Sequence, residues 1–144
     1  MKQIGVTEWR SRLGELRQGT EVFVVLYRHR PAAILVPVPP TYWENVTPFL
    51  QALLQLRDRQ LESLNPETTH PWIELGTGNP TSINFEEARR GTAMLFGFLA
   101  QNTPVILTFY TYANAIMLPV PLDLPHETLE SIYRDVQAHI RASR

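Results

Sequence analysis

The chain has 144 residues, and 44% apolar against 19% charged content supports a folded core and argues against a largely disordered chain. There is no cysteine, which excludes a disulfide framework, a thiolate nucleophile and a cysteine metal cage, and no apolar run is long enough to cross a bilayer. Net charge is −1 but unevenly placed: residues 1–40 carry six basic and three acidic side chains, so a polyanion is expected at this stretch if one is bound. With no basic-then-apolar leader at the start, a soluble cytoplasmic protein is expected.

Met1 to Val6 predicts a short strand, and Thr7 is placed to cap a helix beginning at Glu8. Trp9, Leu13 and Leu16 fall at i, i+4 and i+7 and predict one buried stripe. Gly19 is expected to end that helix in the left-handed conformation. Two apolar runs rich in β-branched residues, Val22–Tyr27 and Ala32–Val38, flank Arg28-His29-Arg30-Pro31 and predict a hairpin buried on both faces. Pro39-Pro40 breaks the second strand, and Thr47-Pro48 opens a helix whose leucine face runs to about residue 64. Turn-forming residues around Trp72-Ile73-Glu74-Leu75 predict a linker, with Trp72 pinning it to a surface.

The unit then recurs. Val105–Tyr110 and Ala115–Val120 flank Thr111–Asn114, and both hairpins close on Pro-Val-Pro, at Pro37–Pro39 and Pro119–Pro121. Ile4, Glu8 and Arg10 lie over Ile83, Glu87 and Arg89, and Gln18-Gly19-Thr20 lies over Gln101-Asn102-Thr103, with Asn102 as the second left-handed helix end. Glu8 to Gln18 is ten residues and Glu87 to Gln101 is fourteen; the excess of four is close to one helical turn and leaves the buried stripe facing the same way. In the second copy the first helix buries Ala88, Thr92, Leu95 and Leu99, and the last, from about Pro125, buries Leu129, Ile132, Tyr133, Val136 and Ile140. The expected architecture is α+β, with two copies of strand, helix, strand, strand, helix at 1–64 and 82–144 joined by a linker at 65–81.

The order Ile4-x-x-Thr7-Glu8-x-Arg10-x-x-Leu13, then Val22-x-Val24-x-x-Tyr27-Arg28-His29-Arg30-Pro31-x-Ala33-Ile34-Leu35-Val36, resembles the Phd/YefM antitoxin family. The likeness covers residues 1–45 well and 82–121 more loosely. It implies a bacterial antitoxin of a type II toxin–antitoxin system, which dimerises through its N-terminal part, binds operator DNA as an autorepressor and blocks a toxin with a C-terminal extension. Arg10 and Arg28 match the family's operator-binding positions, and arginine suits bidentate contact with phosphate or a guanine edge. Arg12, Arg17, His29 and Arg30 would enlarge that patch, and Arg89 and Arg90 carry it into the second copy.

The chain departs from the family in three places. The hairpin turn lacks the glycine that usually precedes the basic residue and proline. Two copies sit in one chain, so one polypeptide is expected to act as an intramolecular pseudo-dimer, with further dimerisation left open. Neither copy ends in a long acidic tail; amphipathic helices follow both hairpins.

Phe49, Leu50, Leu53, Leu54 and Leu61 form a candidate partner-binding face on the helix-in-groove pattern, against the alternative that they pack on their own sheet. The four histidines are scattered, so no metal site is expected, and no phosphate loop or nucleophile motif points to a cofactor or an enzyme. The rival expectation is a diverged Phd/YefM-fold interaction module that binds protein and no DNA.

Overall fold

The computed structural model describes residues 1–16 and 19–143. Its centre is a six-stranded mixed sheet in the order β1-β2-β3-β6-β5-β4. The two apolar runs of the first half form β2 (Phe23–Tyr27) and β3 (Arg30–Pro37), and those of the second half form β5 (Val105–Phe109) and β6 (Tyr112–Pro119). β1 (Gln3–Gly5) and β4 (Thr81–Asn84) are the short outer strands, each parallel to its neighbour. Short edges leave few unpaired backbone groups open to another chain.

Helices cover both faces, which is why the central strands read as unbroken apolar runs and not as an alternation. Residues at odd positions, among them Val25, Ala33, Leu35, Leu107 and Met117, face α1 (Val6–Leu16), α5 (Phe85–Arg90) and α6 (Thr92–Ala100). Even positions, among them Val24, Ile34, Val36, Ile116 and Leu118, face α2 (Thr47–Leu61) and α7 (His126–Ala142), which also pack on each other. Two further short helices, α3 (Pro66–Thr69) and α4 (Trp72–Leu75), lie between the halves. Among the described residues there are thus seven α-helices, and none is long and apolar enough to cross a membrane.

The two hairpins have the same internal register. Val24 pairs with Ile34 and Ile106 with Ile116, and each ladder has an irregularity at the same place, after Val25 and after Leu107, 82 positions on (107 less 25). The strands meet across β3 and β6, where Leu35 faces Met117, again 82 apart (117 less 35). Beyond each proline the next amide extends the ladder in the same way: Val38 N–H donates to Asn114 O at 2.9 Å, and Val120 N–H to Ala32 O at 3.2 Å. On the helices, Leu50, Leu53 and Arg57 of α2 are buried, as are Leu129, Ile132 and Val136 of α7, each pair 79 apart (129 less 50).

Several local expectations change. The first helix starts at Val6, so Thr7 lies within it and does not cap it. Gly19 does not adopt a positive φ, whereas Asn102 does, at 60°. The four extra residues of the second half do not lengthen one helix: Gly91, at φ −104° and ψ 49°, separates α5 from α6. The leucine helix ends at Leu61, and the linker contains α3 and α4 in place of simple turns. Trp72 is half-buried and stacks beneath the guanidinium of Arg57, 5.4 Å from the ring centroid, so it does anchor the linker.

Candidate functional site

The first hairpin turns through two residues, Arg28 and His29, both exposed and both left-handed at φ 53° and 66°. A two-residue turn with two positive φ values matches the twist of the strands it joins, and is ordinarily made by Asn-Gly or Gly-Gly. An L side chain there costs roughly 1–2 kcal/mol per residue. The Arg28 guanidinium lies 5.2 Å from the centroid of Tyr27.

Because β1 runs parallel to β2, the C-terminal ends of both lie at one end of the sheet. Helix α1 leaves β1 at that end, so its first turns start near the Arg28-His29 tip. Arg10 is exposed on α1. It shares a shallow groove of about 300 Å3 with Thr7, Ser11 and Arg89. Arg10 and Arg89, 79 positions apart in the chain, are brought together by the contact between α1 and α5.

The candidate arginines differ in what they touch. Arg12 is clamped by Glu8 at 3.1 Å and Glu15 at 3.4 Å, and these hydrogen bonds raise its pKa further, Glu8 contributing most. Arg30 meets Asp123 at 3.5 Å, and Arg89 and Arg90 meet Glu86 at 3.5 and 3.2 Å. Among the described residues, Arg10, Arg28 and His29 have no carboxylate partner. Arg17 lies outside the described residues.

The second hairpin tip is of another kind. β3 and β6 are antiparallel, so this tip lies at the opposite end of the sheet. It carries Tyr110, left-handed at φ 56° and 82% exposed, with Phe109 and Tyr112 also exposed. Phe109 and Tyr110 meet edge to face at 4.5 Å, and Tyr112 lies 6.0 Å from Trp43.

The leucine face of α2 is not an open surface. Phe49, Leu50 and Leu53 are buried against the sheet and α7, and Leu54 and Leu61 are half-buried in the same cluster. That is the own-sheet alternative, and it removes these five residues as a ready docking face. Among the described residues no group of three or more His, Asp or Glu side chains is placed to hold a metal ion.

Arg57 is a buried charge outside the expected site residues. It is 1% exposed, donating to Asp58 at 3.0 Å, Asn102 Oδ1 at 2.8 Å, Pro119 O at 3.0 Å and Thr77 Oγ1 at 3.1 Å. Burial pushes its pKa down, and the charge of Asp58 opposes that. The sequence does hold a signal: Arg57 stands on the apolar stripe between Leu53 and Leu61, where a charge requires buried partners. Asn102, left-handed and buried, is one of them, and its Nδ2 also donates to Gly76 O at 3.1 Å.

No protein-family model, curated protein or solved structure matches this chain.

Proposed function

We propose that this chain is a single-chain Phd/YefM-like antitoxin: a cytoplasmic DNA-binding autorepressor of a type II toxin–antitoxin system, whose two tandem repeats act as an intramolecular pseudo-dimer. The observation that carries the reading is which of the arginines expected at the DNA face are left unpaired. Arg10 and Arg28, the positions matching the family's operator contacts, have no carboxylate partner among the described residues, while Arg12, Arg30, Arg89 and Arg90 do. A guanidinium held by carboxylates must give up those contacts to bind phosphate; an unpaired one keeps its donors for it.

Three features support the pairing of repeats: the identical hairpin registers, the Leu35–Met117 match at the central strand pair, and the shared groove of Arg10 and Arg89. The left-handed Arg28-His29 tip adds support, because a strained turn filled with basic residues in place of glycine is a feature to be expected at a functional position. Binding, not catalysis, is the proposed role. A toxin protein remains part of the proposal as a second partner, but α7 already covers the α2 face, so the contact would fall elsewhere.

The second reading, a protein-interaction module without DNA binding, is favoured by the second tip, where aromatic residues stand in place of basic ones. A mobility-shift titration on the duplex upstream of the chain's own gene separates the two. The first reading expects salt-sensitive binding weakened by Arg10→Ala and Arg28→Ala; no shift at low salt supports the second.

A further inference from the structure

The two ends of the sheet differ in what covers them. At one end the linker is seated against Leu61, Leu64, Arg57 and Asn102, with Trp72 under the Arg57 guanidinium. Backbone and side-chain bonds hold it there: Gly78 N–H to Asn102 O at 2.9 Å, Asn102 Nδ2 to Gly76 O, and Arg57 to Thr77. The matched positions at the other end are Ile140 and Ser143 for Leu61 and Leu64, Pro37 for Pro119, and Gly19 for Asn102. All four line an open groove of about 740 Å3. No described segment covers it as the linker covers its mate.

The chemistry of the open groove is neutral and aromatic. Its described lining carries no charged side chain, and its walls include Trp43 and Tyr112, 6.0 Å apart, with Pro37, Pro39 and Pro40. Val136 stands at the position matching Arg57, so the cation that holds Trp72 has no counterpart here. One polar group is present instead. Asn114 is 6% exposed and lines the groove, and its Oδ1 has no hydrogen-bond donor. A buried amide oxygen without a donor costs roughly 1–3 kcal/mol. In the first half the matching residue is Ala32, as the reciprocal Val38–Asn114 and Val120–Ala32 hydrogen bonds show.

We infer that this groove is a docking site for a short, uncharged peptide segment of a partner protein, entering with an aromatic anchor as Trp72 does at the other end and donating a backbone N–H to Asn114. The inference rests on reading the two halves as matched copies. Aromatic-lined, proline-framed grooves suit extended peptides whose side chains fill them and whose backbone is read by one or two polar groups.

The test uses the full chain, 15N-labelled, titrated to millimolar concentration with a synthetic peptide of residues 66–78, the segment that seats at the covered end, carrying Glu67→Gln and Glu74→Gln so that no acidic side chain remains. Saturable shifts are expected at the Trp43 indole N–H and the Asn114 side-chain amide. Asn114→Leu should weaken binding about tenfold, the worth of one buried hydrogen bond. Tyr112→Ala, at an exposed position that leaves folding intact, should weaken it as well. A peptide carrying Trp72→Ala should give no shifts. No shifts at millimolar peptide, shifts confined to Arg57 and Thr77, or equal binding by the Trp72→Ala peptide would each overturn the docking site. Duplex binding by Asn114→Leu should be unchanged, so failure of the peptide and failure of the DNA reading are told apart on one variant.

Discussion

The two hairpins share a register and differ at their tips. One tip is Arg28-His29, bent through two left-handed residues; the other is Tyr110-Thr111, aromatic and neutral, at the far end of the sheet. The shared ladder holds because its central residues, among them Val24, Val25, Ala33, Ile34, Ile106, Leu107, Ala115 and Ile116, are buried under one helical layer or the other, so a change there disturbs close packing at once. The tips project into solvent and are free to differ. A difference at a tip is therefore not imposed by the packing of the sheet.

The largest effect is expected where the ends differ most in their support. Arg57→Met removes the guanidinium from Asn102, Thr77 and Pro119 O, and hydrogen bonds to a charged group are worth roughly 1.5–3 kcal/mol each. A loss of about 3 kcal/mol in urea unfolding is expected, with protease cleavage appearing within residues 66–78. Unchanged stability and an intact linker would mean that Arg57 does not hold that end.

Next in size is the basic tip. Arg28→Ala should weaken duplex binding by about ten- to a hundredfold, the worth of one good base or phosphate contact at ~1–3 kcal/mol, read by mobility shift. The reverse exchange sharpens the contrast: Tyr110→Arg with Thr111→His copies the first tip onto the second. It should tighten low-salt duplex binding about tenfold and steepen its salt dependence by about one unit. A smaller effect is expected from His29→Gly, which relieves a left-handed side chain and should stabilise the fold by about 1 kcal/mol in thermal unfolding. A destabilised variant would show that His29 makes a contact worth more than its strain.

Much of this was legible in the sequence because it depended on periodicity. The four central strands, paired as two antiparallel hairpins, and the buried stripe of α7 follow from apolar spacing. The pairing of Arg12 was also readable, since Glu8 and Glu15 stand one helical turn to either side, whereas Arg10 has no acidic residue at those spacings. Local backbone choices were harder. Gly91 splits a helix whose apolar pattern runs straight through it, because Ala88, Leu95 and Leu99 stay buried on either side of the break. Helices α3 and α4 span four residues each, too few for any period to show. The Arg57 cluster draws on residues 45 and 62 positions away, and no local pattern joins them.

The central claim, that Arg10 and Arg28 are kept unpaired in order to hold DNA, is tested most directly by the salt dependence of binding to the upstream duplex. Wild type and the Arg10→Ala/Arg28→Ala variant are compared in plots of log affinity against log salt. The account predicts a slope shallower by about two units in the variant, one for each lost phosphate contact. Equal slopes and equal affinities, or a wild type that does not bind at low salt, would contradict it.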